Sequence, residues 1–205
     1  MKLGFLTACL PQRSLTDIAA WAAANAFEAL EVAAWPGRGN RPFTATHLDV
    51  NGFGRRQADE MTALFDQHGL TLSSLALYDN NLHPDATERK NINTHVLALI
   101  DTATLLGVPT AGTFVGRDPT RSVADNLRDA EQVFRPLLDR AGERGVKIVI
   151  ENCVMEGRHP DGYPGNLAYS RELWEWMFQS GVAPRTASRR DFRFAHRTLR
   201  PLLVA

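Results

Sequence analysis

Cysteine is almost absent from this sequence of 205 residues, which contains only Cys9 and Cys153. The two are far apart and no Cys-x-x-Cys pair occurs, so neither a disulfide framework nor a structural zinc site is indicated. The sequence also lacks any apolar run approaching the roughly 18 residues of a membrane span. Its first residues do not have the basic, apolar and small-residue segments of a secretion signal. We therefore expect a cytoplasmic protein without a membrane partner.

Net charge is also lacking, because 23 Lys and Arg residues balance 23 Asp and Glu residues. The balance is uneven along the chain: residues 1–180 carry a net charge of −5 and residues 181–205 one of +5. Arg outnumbers Lys 20 to 3, which is typical of GC-rich coding DNA. We expect residues 181–205 to be a frameshifted or disordered tail. The rival interpretation is a basic tail that binds phosphates or nucleic acid, which we do not favour because no Lys accompanies the Arg.

Apolar stretches of strand length alternate with amphipathic stretches of helix length. We predict strands over residues 3–7, 29–35, 70–78, 108–115 and 146–150, and helices over residues 15–26, 55–68, 94–106, 123–144 and 171–178. Strict alternation forces parallel pairing, which fits an open doubly wound sheet or a (β/α)8 barrel. No Gly-x-Gly-x-x-Gly follows the first strand, so we favour the barrel. A complete barrel has about 250 residues, and five units over residues 1–180 make a partial one.

The fifth predicted strand ends in a carboxylate, Glu151, with Asn152 directly after it. In parallel α/β proteins, functional groups collect at the carboxyl ends of the strands. Glu151 is therefore the first candidate for a functional residue. The alternative is that it only accepts a hydrogen bond from a neighbouring backbone amide, since carboxylates are rarely buried without a partner.

Three stretches resemble the sugar phosphate isomerase/epimerase family: residues 151–153 (Glu-Asn-Cys), 159–170 and 172–176. That family belongs to the xylose isomerase-like TIM barrels, which also include the type IV apurinic endonucleases. The resemblance covers about residues 1–180. It implies a metal-dependent isomerase or epimerase that acts on a sugar or sugar phosphate through an ene-diolate. It also implies that Glu151 is both a metal ligand and the proton-transfer residue, with Mn²⁺, Mg²⁺, Co²⁺ or Zn²⁺ as the metal.

The sequence departs from the family after residue 180. The family takes its other metal ligands from later strands, and the corresponding stretches are absent here. We therefore expect this chain to bind no metal and to be inactive or nearly so. Two alternatives stay open. One is an apurinic endonuclease-like phosphodiesterase, although the fourth strand ends at residues 113–116 without the expected histidine. The other is a non-enzymatic barrel fragment that self-associates through an open sheet edge.

Five further residues are candidates for substrate binding, because they follow predicted strands or lie in the family-like loop. Each also has a structural alternative: core packing for the tryptophan, and turn chemistry or solvent exposure for the polar residues. These candidates are Trp35, Tyr78, His83, Asn152 and His159.

Overall fold

The computed structural model describes residues 2–37, 45–155, 159 and 161–182. Within them the chain forms one five-stranded parallel sheet in which the strands lie in sequence order. The strands are β1 (Gly4–Leu6), β2 (Ala29–Ala33), β3 (Thr71–Leu77), β4 (Thr110–Thr113) and β5 (Lys147–Ile150). The α/β architecture with five strand–helix units is as predicted. Residues 183–205, which hold most of the predicted tail, lie outside the described residues.

Five helices follow the strands: α1 (Leu15–Ala24), α2 (Arg55–Gln67), α3 (Ala86–Leu105), α4 (Val123–Arg144) and α5 (Arg171–Ser180). Side-chain oxygens cap four of them at the amino end, from Ser14, Asp85, Ser122 and Ser170. Such oxygens accept hydrogen bonds from main-chain N–H groups that have no partner inside the helix. No helix within the described ranges is long and apolar enough to cross a bilayer.

The third helix begins eight residues earlier than the predicted residue 94. Residues 86–93 are polar, and their composition suggested a loop. However, the carboxylate of Asp85 accepts hydrogen bonds from the N–H groups of Thr87 (2.8 Å) and Glu88 (2.9 Å). This N-cap starts the helix before its apolar face begins. The prediction of a loop over residues 86–93 was therefore wrong.

The helices cover one face of the sheet, which we call the outer face. Consecutive parallel strands joined by right-handed crossovers place all their helices on the same side. Strand residues of one parity, such as Val32, Leu75 and Ile148, are buried in a common apolar core with Leu99 of α3 and Phe134 of α4. Residues of the opposite parity must point to the other side, the inner face. In a (β/α)8 barrel this face lines the interior.

Candidate active site

Acidic and aromatic side chains lie on the inner face. The pairing register places Ala33 opposite Ala76, Ala76 opposite Gly112, and Gly112 opposite Val149. Residues two positions before or after these share their face, because side chains alternate along a strand. Glu31, Tyr78 and Glu151 therefore face inward, whereas their immediate strand neighbours pack under the helices.

Glu31 of β2 is bound by a phenol. The Tyr78 hydroxyl donates a hydrogen bond of 2.8 Å to Glu31 Oε1, and Glu31 is half-buried. Burial raises the pKa of Glu31, and the hydrogen bond from Tyr78 opposes part of that rise. Burial, followed by the negative charge of Glu31, holds the pKa of Tyr78 well above its usual value. Tyr78 therefore keeps its proton and serves as a permanent donor to Glu31.

Gly112 on β4 provides the space for this pair. A Cβ atom built on Gly112 would lie 2.7 Å from the Tyr78 hydroxyl oxygen and 3.1 Å from Glu31 Oε1. Non-bonded carbon and oxygen atoms do not approach each other as closely as 2.7 Å. Any larger residue at position 112 would therefore push the phenol away from the carboxylate.

Glu151 follows β5 directly, and its main chain is well held. Its N–H donates to the carbonyl oxygen of Thr113 (3.1 Å), and its own carbonyl accepts from Asn166 Nδ2 (3.4 Å). Its carboxylate has no hydrogen bond to any described residue. Burial, reinforced by the negative charge of Glu31, raises the pKa of Glu151 from 4.5 to about 7. At neutral pH this carboxyl can either take up or release a proton.

An aromatic wall stands beside these acids. Trp35 Nε1 donates to the Tyr78 carbonyl (3.3 Å), and the two ring centroids are 5.9 Å apart. The Tyr78 ring lies 5.0 Å from that of Phe114. The structure thus brings Trp35 and Tyr78 together, as expected for residues that follow neighbouring strands. Trp35 is only 5% exposed, so most of its surface packs against protein.

The other three candidates lie in loops around this edge. His83 Nδ1 accepts a hydrogen bond from the Asp85 N–H (3.1 Å), just before α3. His159 exchanges main-chain hydrogen bonds within the loop after β5, donating to Tyr163 (3.0 Å) and accepting from Gly162 (2.8 Å). Asn152 is exposed. These positions give His83 and His159 structural contacts, and their role in substrate binding stays a prediction, as does that of Asn152.

Sequence reasoning missed a set of asparagines that join the loops. Asn166 Oδ1 accepts from the N–H groups of Gly116 (3.0 Å) and Ala168 (3.2 Å), while its Nδ2 donates to the Cys153 carbonyl (2.9 Å). Asn81 Nδ2 donates to Thr113 Oγ1 (2.9 Å). Beyond the ends of the strands, these side chains form hydrogen bonds in place of the backbone hydrogen bonds that join neighbouring strands. The only sequence signal was their position in the loops between strands and helices, which is also typical of ordinary turns.

Glu31 was also missed, and here a signal was present. The stretch of residues 29–35 is apolar except for this one acid. A carboxylate inside a buried strand needs a partner, so its residue type alone indicates a polar contact on the inner face.

Arg117, in the loop after β4, is another residue that sequence reasoning missed. Its side chain is fully enclosed, whereas a charged residue in a loop is normally expected to be exposed.

The described residues do not make up a metal site. No group of three or more His, Cys, Asp or Glu side chains comes close enough together in the described ranges to hold an ion. Glu151 has a carboxylate available, but Glu31, the other acid on the inner face, is bound by Tyr78. Catalytic zinc sites normally have three protein ligands.

A parallel sheet whose five strands lie in sequence order, with helices on its outer face, is the architecture of a β/α barrel, and the described residues form five of its units. The sequence model of the family described as "Xylose isomerase-like TIM barrel" matches residues 19–184. The chain belongs to this family. No curated protein matches the sequence.

Several solved structures share the fold of this chain at low sequence identity. A D-psicose 3-epimerase with D-tagatose, from Clostridium cellulolyticum H10, is 17% identical with a TM-score of 0.62, covering 97% of this chain and 71% of that one. The probable 3-DHS dehydratase AsbF from Bacillus anthracis is 14% identical (TM-score 0.59), covering 90% and 60%. The IOLI protein with a bound zinc atom is 20% identical (TM-score 0.55), covering 74% and 51%. The chain thus spans between about half and 71% of the length of these neighbours.

Proposed function

We propose that this chain carries the proton-transfer carboxyl of a sugar isomerase or epimerase, and that this carboxyl is Glu151. The observation that supports the proposal is the contrast between the two inward-facing acids. Glu31 is bound by Tyr78, whereas the Glu151 carboxylate, at the carboxyl end of β5, has no hydrogen bond within the described residues. A catalytic base must reach a hydrogen of the substrate, so an unbound carboxylate is the better candidate.

The reaction requires removal of a proton from the carbon beside a carbonyl group. The Glu151 carboxylate takes this proton, and the electron pair of the broken C–H bond becomes the double bond of an ene-diolate. The carbonyl oxygen then carries negative charge, which donors in the site must stabilise. Return of the proton to the neighbouring carbon, together with transfer of the hydroxyl proton to the former carbonyl oxygen, isomerises the sugar. Delivery of a proton to the opposite face of the original carbon, by an acid on that side, inverts it. A carboxyl with a pKa of about 7 suits both directions of transfer.

The proposed substrate is a sugar or sugar phosphate. D-Psicose 3-epimerases among the structural neighbours were solved with D-fructose and with D-tagatose. Aromatic rings beside polar groups are common walls for sugar binding. Trp35, Tyr78 and Phe114 form such a wall next to Glu31.

The family resemblance also implies a divalent metal with Glu151 as one ligand. Within the described residues, no three His, Cys, Asp or Glu side chains come together to hold such an ion. We propose that the 205-residue chain alone turns over little. With one base on one side of the substrate, the abstracted proton returns to the face it left, so exchange with solvent exceeds epimerisation.

Exchange of the substrate proton with solvent deuterium tests this function. We would incubate the 205-residue chain with D-fructose, D-tagatose or D-fructose 6-phosphate in D2O, with and without Mn²⁺, and follow the C3 proton by NMR. We expect slow loss of the C3 signal without accumulation of the epimer, and we expect Glu151→Gln to abolish that loss. Glu143→Gln, which removes an exposed acid on α4, is the matched control and should exchange normally. Equal exchange in Glu151→Gln, or none in the unmodified chain, would refute the assignment.

Two further expectations stay predictions. One is a cytoplasmic location. The other is self-association: β1 and β5 are the edge strands of the sheet within the described residues, and an open strand edge can pair with another chain. Phe5, Trp21 and Phe27 form an aromatic cluster beside β1, and Trp21 is 50% exposed.

A further inference from the structure

Arg117 is a buried cation at the same edge of the sheet as Glu151. It lies in the loop between β4 and α4, and its side chain has no solvent-exposed surface. The side chain of Asn80 holds the main chain of Arg117 at two points. Asn80 Oδ1 accepts a hydrogen bond from the Arg117 N–H (2.9 Å), and Asn80 Nδ2 donates one to the Arg117 carbonyl (2.8 Å). The guanidinium is therefore carried by a fixed stretch of backbone.

The guanidinium is only partly satisfied. Its Nη2 donates to the carboxylate of Asp161, and its central carbon lies 5.7 Å from the ring centroid of Tyr163. Nε and Nη1 are both buried and have no acceptor among the described residues. An arginine stays charged at every relevant pH and presents five N–H donors. Buried donors without acceptors are costly and uncommon, so they indicate a place for a further oxygen ligand.

The position of Arg117 links it to the candidate active site. Gly116, the residue before it, donates to Asn166 Oδ1 (3.0 Å), and Asn166 Nδ2 donates to the carbonyl of Glu151 (3.4 Å). One asparagine side chain thus connects the backbone that carries the guanidinium to the backbone that carries the candidate base. Both belong to the loops that follow neighbouring strands at the carboxyl end of the sheet.

The carboxylate that contacts Arg117 is the exposed member of the pair. The Asp161 side chain is 37% exposed, whereas that of Arg117 is fully buried. Tyr163, whose ring lies against the guanidinium, is 48% exposed. An oxyanion arriving from solvent therefore meets Asp161 and Tyr163 first, and it can reach the guanidinium by taking the place of the Asp161 carboxylate.

We propose that Arg117 is an oxyanion-binding residue, which takes a carboxylate or phosphate group of the substrate in exchange for Asp161. Bidentate recognition of such groups is the chemistry to which a guanidinium is best suited. The part of this inference that concerns the substrate rests on the proposed function. It narrows the proposed substrate to acidic sugars, either sugar acids or sugar phosphates. The site follows β4, whereas the phosphate sites of TIM barrels usually lie after the seventh and eighth strands.

Removal of the competing carboxylate gives the sharpest test. We would titrate inorganic phosphate and, separately, D-gluconate into the 205-residue chain by calorimetry. If Asp161 competes with the ligand for Nη2, Asp161→Asn should bind the anion about tenfold more tightly than the unmodified chain. A structural ion pair predicts no gain. Asp129→Asn is the matched control, because it removes an aspartate that pairs with a different arginine, Arg121, and its affinity should not change.

Loss of the guanidinium should weaken binding. Arg117→Lys keeps the charge but removes the planar fork, so it should bind both anions more weakly than the unmodified chain, while far-UV circular dichroism reports whether it folds. The result for Asp161→Asn decides the question if Arg117→Lys does not fold. Tighter binding of either anion in Asp161→Asn supports the proposal, and the anion that gains more identifies the source of the oxyanion. An unchanged or weaker affinity in Asp161→Asn, or an equal gain in Asp129→Asn, would overturn it.

The two proposals can fail separately. Anion binding needs neither turnover nor Glu151, so Glu151→Gln should bind phosphate and D-gluconate like the unmodified chain. Anion binding without proton exchange would leave Arg117 assigned and the isomerase function refuted. Proton exchange on neutral sugars without anion binding would support the isomerase function and refute the proposed role of Arg117.

Discussion

Glu31 and Glu151 lie on the same inner face of the sheet and differ in what their carboxylates contact. Glu31 accepts a hydrogen bond of 2.8 Å from the Tyr78 phenol, in a space that Gly112 leaves open. Glu151 is held only through its main chain, by Thr113 and Asn166. A carboxyl group that already accepts a hydrogen bond from a phenol is less available to a substrate, whereas an unbound one can exchange a proton with it. The difference supports the proposed proton-transfer role of Glu151, and for Glu31 we propose an electrostatic role.

The largest effect should come from filling the space at Gly112. In Gly112→Ala the new methyl group would lie 2.7 Å from the Tyr78 hydroxyl oxygen, so the pair must separate. We expect a loss of about 2–3 kcal/mol in the free energy of unfolding, measured with urea. Adding Tyr78→Phe should recover part of this loss, because it removes the nearest oxygen.

Gly142→Ala is the control for this substitution. Gly142 lies in α4, and a Cβ atom added to it would have no neighbouring atom within 4 Å among the described residues. Replacing a helical glycine with alanine normally stabilises a protein, by up to about 1 kcal/mol. If Gly112→Ala unfolds at the same urea concentration as the unmodified chain, the space at Gly112 is not needed for the Tyr78–Glu31 pair.

A smaller effect should appear in the dependence of stability on pH. The pKa of Glu151 is about 7 in the folded chain, against an ordinary value of 4.5 for a glutamate in the unfolded chain. Between these values the folded chain binds more protons than the unfolded one, so stability falls as pH rises and levels off above 7. Since Glu151 is partly accessible to solvent, we expect it to contribute a decrease on the order of 2 kcal/mol between pH 5 and pH 8.

Urea denaturation at a series of pH values measures this decrease. Glu31, whose pKa is also raised by burial, adds a decrease of the same sign. Glu151→Gln should therefore reduce the slope without removing it, and Glu143→Gln, an exposed acid on α4, should leave the slope as it is. A slope that Glu151→Gln does not change would mean that the Glu151 carboxyl titrates alike in the folded and unfolded chain.

Much of the fold could be predicted from the sequence because it rests on local pattern. Five apolar stretches became five parallel strands, and Glu151 follows the fifth of them as predicted, while its role stays a prediction. The start of α3 was missed because residues 86–93 are mainly polar, although Asp85 followed three residues later by Glu88 is a typical helix-start signal. Membership of the xylose isomerase-like family was also predicted from the stretches near Glu151.

The remaining features of the site depend on contacts between distant residues. Glu31 and Tyr78 are 47 positions apart, so their hydrogen bond follows from the register of β2 against β3. Arg117 and Asp161 are 44 positions apart, and no pattern near either residue marks the arginine as buried. The space at Gly112 is visible only when the neighbouring strands are in place. Pairing across the sheet, rather than local pattern, therefore determines the electrostatics of the site.

The most direct test of the contrast between the two acids is a titration of the glutamate side chains by ¹³C NMR, with assignment of Glu151 through Glu151→Gln. We predict a midpoint of about 7 for Glu151. In Glu31→Gln, which removes the neighbouring negative charge, the midpoint should be lower, because that charge contributes to the raised pKa. A midpoint near 4.5 in both proteins would show that Glu151 is an ordinary surface carboxylate and would contradict its assignment as the proton-transfer residue.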